Sequence, residues 1–290
     1  MESRGTERMS TGAAAAKEQK VEMPRSIQRD MQARTNNRHY RIFIAVPAEE
    51  PPATGYPVIY LLDANAVFGT MTEAVRVQGR RPDKTGVVPA VIVGIGYRTD
   101  EPFDPARHRD FTMPVPESEL PQSPDGKAWP EQGGAESFLA FIEDELKPAI
   151  EREFSIDPKR QTIFGHSLGG LFVLHALFNK PGSFQTYIAG SPSIHWNQRV
   201  LLEAERRFAA GLERERLDAG VLIGVGEFEG NLRIPMNDNA RDMSERLSLL
   251  TSRGLRVAFR EFEDEGHVSV LPVLINRAVR FALSPSWGKA

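Results

Sequence analysis

The chain has 290 residues, 40% of them apolar and 26% charged, with a formal net charge of −3, the balance of an ordinary globular protein long enough for one large α/β domain or two smaller ones. That charge supplies no basic field to attract nucleic acid, and the lack of cysteine excludes disulfides, thiolate catalysis and Cys-ligated metal sites. No apolar run reaches the length of a membrane span, and residues 13–16 are too short for a signal core. The sequence is therefore expected to be soluble and cytoplasmic, with no nucleic-acid or membrane partner.

Residues 1–20 are rich in Gly, Ala, Lys and Glu without periodicity and read as a disordered tail ahead of one domain over 21–290. Extended segments at 21–31 and 40–46 flank Thr35-Asn36-Asn37, which suits a turn. Residues 58–62 and 87–97 are near-continuous apolar runs, as expected of strands buried on both faces. The segment 98–134 holds seven prolines and no helical periodicity, so it reads as a lid or binding wall. Residues 135–154 carry Phe138, Phe141, Ile142, Leu146, Ala149 and Ile150 on one helical face, with Pro148 as a kink or boundary. Further strands are expected at 161–164, 186–189, 220–225 and 255–262, and helices at 168–178, 200–212, 238–252 and 268–283. An opening hairpin followed by strand–helix alternation implies a mostly parallel sheet with an antiparallel N-terminal hairpin and helices on both faces.

The chemistry concentrates at Gly165-His166-Ser167-Leu168-Gly169-Gly170, between the strand Thr162-Ile163-Phe164 and a helix. Gly-x-Ser-x-Gly in that setting is the nucleophile elbow of an α/β-hydrolase: a strained turn projects the serine Oγ above the sheet, and the flanking glycines let strand and helix approach. Serine needs a base to take its proton, and in this fold the order is Ser, acid, His. Of the six histidines, His267 meets that order, on a loop between the last strand and the last helix. His175 leaves no room for an acid, and it and His166 read as packed or surface imidazoles. The acid should follow the strand 220–225, where Glu227 and Glu229 both stand. Glu229, three residues past Gly226, is preferred, with Glu227 as the alternative, since alternation would send both the same way. Oxyanion donors are expected from the N–H of Leu168 and that of Asn65 (or Ala64) after the strand 58–62. No metal or organic cofactor is required.

Several blocks resemble the esterase-D-like esterases, and within them the hydrolases of ferric siderophore trilactones of the enterobactin, bacillibactin and salmochelin type. They are Tyr40-Arg41-Ile42, Leu61-Leu62-Asp63-Ala64-Asn65, Val93-Gly94-Ile95-Gly96-Tyr97, Arg107-His108-Arg109-Asp110-Phe111-Thr112 and Gly133-Gly134-Ala135. The elbow with Leu171-Phe172, then Ser191-Pro192-Ser193-Ile194-His195-Trp196 and Glu265-Gly266-His267, complete them. Two positions depart from the usual pattern: Ala64 stands where glycine is common, and His195 where the family often has tryptophan. The resemblance implies a bulky, aromatic, anionic ester substrate. Arg98, Arg107 and Arg109, with His195 and Trp196, would supply charge and stacking for it, unless the arginines pair with Asp100, Glu101, Asp104 and Asp110 instead. The competing readings are a broad carboxylesterase on small or feruloyl-type esters, an acyltransferase, and a non-catalytic binding protein on a hydrolase scaffold.

Overall fold

The computed structural model describes residues 20–123, 126–231 and 234–284; up to residue 19, the expected tail lies outside the described residues. Eight strands form one sheet: β1 (Ser26–Gln32), β2 (His39–Ala45), β3 (Tyr56–Leu61), β4 (Val91–Gly96), β5 (Ile156–His166), β6 (Thr186–Gly190), β7 (Ala219–Gly226) and β8 (Leu255–Phe262). Their spatial order is β1-β2-β4-β3-β5-β6-β7-β8. β1 and β2 form the antiparallel hairpin, β2 meets β4 antiparallel, and every later pairing is parallel. The helices are α1 (Ala64–Gly79), α2 (Pro82–Thr85), α3 (Arg107–Phe111), α4 (Ala135–Phe141), α5 (Lys147–Glu153), α6 (Leu168–Asn179), α7 (Gln198–Leu212), α8 (Met236–Ser248) and α9 (Val270–Leu283). Among the described residues no helix is long and apolar enough to cross a membrane.

The central strands bury both faces, and their side chains sort by parity. Val58, Tyr60 and Leu62 enter one core with α4 to α8, while Ile59 and Leu61 enter another with α1 and α9. A two-residue repeat on a pleated strand makes that division automatic.

Three local expectations need correction. No helix is expected directly after the strand 58–62, yet Asp63 turns the chain at φ 51° and a 16-residue helix starts at Ala64. Val67, Phe68, Met71 and Val75 bury its inner face, a helical spacing present in the sequence but hidden by the polar residues between. The segment 98–134 is not wholly irregular, since it contains α3 and a 3₁₀ turn over Glu117–Glu119. The helix expected over 135–154 is broken by a π-helical turn, Ile142–Leu146, and Pro148 falls in the first turn of α5, where its missing N–H is tolerated.

Candidate active site

Parallel strands place their following residues along one edge of the sheet, so the segments after β3, β5, β6, β7 and β8 converge. Ser167 follows β5 with φ 60° and ψ −118°, a backbone conformation that costs a non-glycine residue about 1–3 kcal/mol. Its N–H donates to Gly190 O at 2.9 Å, and its own carbonyl accepts from Leu171 and Ser193 N–H. The tight packing is at Gly165, where a Cβ would lie 2.2 Å from Gly169 O, and at Gly170, where one would lie 2.6 Å from Gly190 O. Gly169 has ordinary room, which corrects the expectation that it is the second sterically required glycine.

Ser167 Oγ lies 3.0 Å from His267 Nε2, and His267 Nδ1 lies 2.7 Å from Glu229 Oε2. A carboxylate only accepts, so Nδ1 carries the proton and Nε2 is free to accept from Ser167. Glu229 is 1% exposed, and its other oxygen accepts from Ser191 Oγ and Gly226 N–H, each at 2.7 Å. Burial opposes its charge, but the hydrogen bonds from His267, Ser191 and Gly226 outweigh it and hold the carboxyl below its usual value. Glu227 points elsewhere: its Oε2 accepts from Asp264 N–H at 2.9 Å, so it steadies the histidine loop without reaching His267. The short 3₁₀ helix Glu227–Asn231 separates the two directions, because 3₁₀ geometry replaces the alternation of an extended chain.

Two further histidines crowd the base. The ring of His166 is 4.7 Å from that of His267, and burial first, then the His267 charge, pushes His166 down to about 3. The same two causes lower His195. Both stay neutral at neutral pH and add no cation beside His267.

The turn after β3 lies beside the elbow. Arg107 is buried and grips Asp63 with two parallel bonds, Nε to Oδ1 at 2.9 Å and Nη2 to Oδ2 at 2.8 Å. The Asn65 side chain accepts from Tyr97 N–H at 2.8 Å and donates to Thr99 O at 2.8 Å. Its backbone N–H and that of Leu168 stand in the first turns of α1 and α6, where no preceding turn supplies an acceptor.

The arginines expected at the ligand are engaged, with partners other than most of those expected. Arg107 is committed to Asp63. Arg98 pairs with Asp30 of β1 at 3.1 Å, and β1 lies four strand spacings, about 19 Å, from β5. Arg109 binds Glu131 at 2.9 Å, with Asp110 at 3.7 Å. Asp100, Glu101 and Asp104 accept none of these pairs. Trp196 is only 8% exposed: its Nε1 donates to Gln132 Oε1 at 2.9 Å and Trp129 packs edge-on at 4.6 Å. It is wall framework rather than an open stacking face. His195 stays half-buried beside it, near His267.

Ser191, Ser193 and Asp63 had no assigned role in the sequence. Ser193 Oγ is 3.3 Å from Ser167 Oγ. The signal was position: two serines directly after β6, the strand hydrogen-bonded to β5.

Comparison with known proteins shows the family. The family model described as Putative esterase matches residues 33–269. The chain is 58% identical over 285 residues to the ferri-bacillibactin esterase BesA of Bacillus subtilis, covering 98% of this chain and 97% of that protein. It is 35% identical over 275 residues to the siderophore enterobactin esterase of Emericella nidulans, covering 83% and 88%. The crystal structure of BES protein from Bacillus cereus superposes with a TM-score of 0.86 at 43% identity, over 92% of this chain and 99% of that one.

Proposed function

The chain belongs to the Putative esterase family, and we propose that it hydrolyses the ester bonds of a ferric siderophore trilactone of the bacillibactin class through an acyl-enzyme. The observation that carries the reading is the hydrogen-bond chain Ser167–His267–Glu229, at 3.0 and 2.7 Å, in a chain 58% identical to a ferri-bacillibactin esterase.

In this reading Ser167 Oγ attacks the ester carbonyl as His267 Nε2 takes its proton. Glu229, kept ionised by its three hydrogen bonds, stabilises the resulting imidazolium. The carbonyl oxygen gains charge and is met by the N–H groups of Leu168 and Asn65, each worth about 100- to 1,000-fold in turnover. His267 then returns the proton to the departing alkoxide. A water enters, gives its proton to His267 and attacks the acyl carbonyl. Collapse frees the carboxylic acid and restores Ser167. Arg107 serves by fixing Asp63 and the turn that presents Asn65. His108, Trp129 and Phe103 line a cavity of about 350 Å³ that would receive an aromatic arm, with His195 and Trp196 bordering the wall.

The test is hydrolysis of ferric bacillibactin and, in parallel, p-nitrophenyl butyrate, with Ser167→Ala as control and products followed by mass spectrometry. Ser167-dependent opening of the trilactone is expected. Cleavage of the simple ester alone would leave a broad carboxylesterase, and cleavage of neither would leave a binding protein. Partition of the acyl group to added alcohol would expose a transferase.

A further inference from the structure

The catalytic residues occupy one edge of the sheet; a second cavity lies at the opposite edge, and no step of hydrolysis uses it. Its volume is about 250 Å³, room for a small organic molecule. Helix α1 joins the two places. It starts at the Asp63 turn beside the elbow and ends at Arg80 on the cavity rim, about 24 Å away for 16 residues.

The floor is apolar: Val75 of α1, Ala90, and Ile92 of β4 are all buried there. Among them sits Thr72, 6% exposed, whose Oγ1 is buried without a hydrogen-bond partner. The rim is cationic. Arg25, Arg76 and Arg80 line it against a single carboxylate, Glu49. Arg76 is held by Glu73 at 2.5 Å, while Arg25 and Arg80 have no ion-pair partner among the described residues. Arg25, in the turn before β1, adopts φ 53°, a left-handed conformation uncommon outside glycine.

An apolar floor under a rim carrying two guanidinium groups that have no ion-pair partner among the described residues is the complement of a small amphipathic carboxylate. The geometry points to this cavity as a second binding site, which takes a compact aromatic or aliphatic carboxylate with its anionic head at Arg25 and Arg80 and its body over Val75. The head accepts charge-assisted hydrogen bonds from the arginines at the rim, and the body covers the apolar floor.

Benzoate and hexanoate are the probes, with neutral benzamide as the control for charge. Each is titrated into Ser167→Ala protein while backbone amide resonances are followed, so that binding at the elbow and at the cavity are told apart by which amides move. Saturable shifts at Thr72, Val75 and Ala90 are expected, about tenfold weaker for benzamide. The surface double variant Arg25→Glu/Arg80→Glu should weaken benzoate binding about tenfold or more. Val75→Phe should fill the floor and abolish the shifts. In the Ser167 background, Arg25→Glu/Arg80→Glu should leave hydrolysis of p-nitrophenyl butyrate unchanged, which separates this site from the catalytic reading. Shifts confined to the elbow, benzamide binding as tightly as benzoate, or full affinity in the charge-reversed protein would each overturn the assignment.

Discussion

The catalytic edge and the wall over 98–134 are built by different means. At the edge, backbone does most of the holding: Ser167 N–H to Gly190 O, Ser191 N–H to Gly224 O and Phe228 N–H to Glu265 O stitch successive strand ends together. In the wall, backbone bonds close local turns and tie Gly134 N–H to Arg109 O and Ala135 N–H to Thr112 O, and side chains add the rest: Trp196 to Gln132, Trp129 to Pro121 O, and Arg109 to Glu131. A ladder of strands in register has little freedom to shift, whereas the wall has no ladder, and much of its outer part rests on side-chain pairs that break singly. In the proposed reading the chemistry falls to the rigid region and substrate choice to the adaptable one, a division common where loops ride on a sheet.

The contrast is broken most directly at the two glutamates. Glu229→Gln should lower kcat by about 10³- to 10⁴-fold with the fold intact, whereas Glu227→Gln should cost less than about tenfold, since it only loosens Asp264. Steady-state kinetics on p-nitrophenyl butyrate checks both, and equal losses would dissolve the distinction drawn between them. Arg107→Met comes next, because it belongs to the wall by sequence and to the edge by contact. Leaving Asp63 buried and unpaired should cost about 3–5 kcal/mol in unfolding free energy, read by denaturant titration, together with reduced turnover.

Trp129→Ala should act on the wall alone, raising KM for the ferric trilactone about tenfold while p-nitrophenyl butyrate is hydrolysed as before. A parallel loss on both esters would place the wall in the chemistry. The smallest effect is in pH. Burial pushes Asp110, in the wall, up to about 6 despite Arg38, the Tyr97 and Tyr40 hydroxyls and Arg109, while Glu229 is held low. The folded state therefore keeps the Asp110 proton where the unfolded chain has lost it, so this group lowers stability as pH rises from about 4 to 6. Glu229 acts with the opposite sign: its contribution is present above the unfolded carboxylate value and is lost as pH falls through its own lower one. Unfolding free energies of Asp110→Asn against the parent chain between pH 4 and 7 should converge at the acid end, diverge as pH rises from about 4 to 6, and run parallel above that.

Much of the site was legible in the linear chain because its signals are local. The glycine-flanked Ser167, the late His267 and the apolar runs that became β3 to β7 each follow from neighbours within a few residues. α1 is less legible, because polar residues interrupt its inner face of Val67, Phe68, Met71 and Val75. The choice between Glu229 and Glu227 was not local, because a 3₁₀ turn after β7 undid the alternation that made them equivalent. Nor was the grip of Arg107 on Asp63, 44 residues away, or the approach of Ser191 and Ser193 to Glu229 and Ser167. The cavity at the far edge depends on β4 lying between β2 and β3, which brings Ala45, Ala90 and Val75 to one place. Periodicity and turn chemistry decide which residues become strand, elbow and helix; which charge meets which is decided only when strand order sets the distances between them, since electrostatic and hydrogen-bond partners act over a few ångströms whatever their separation in sequence.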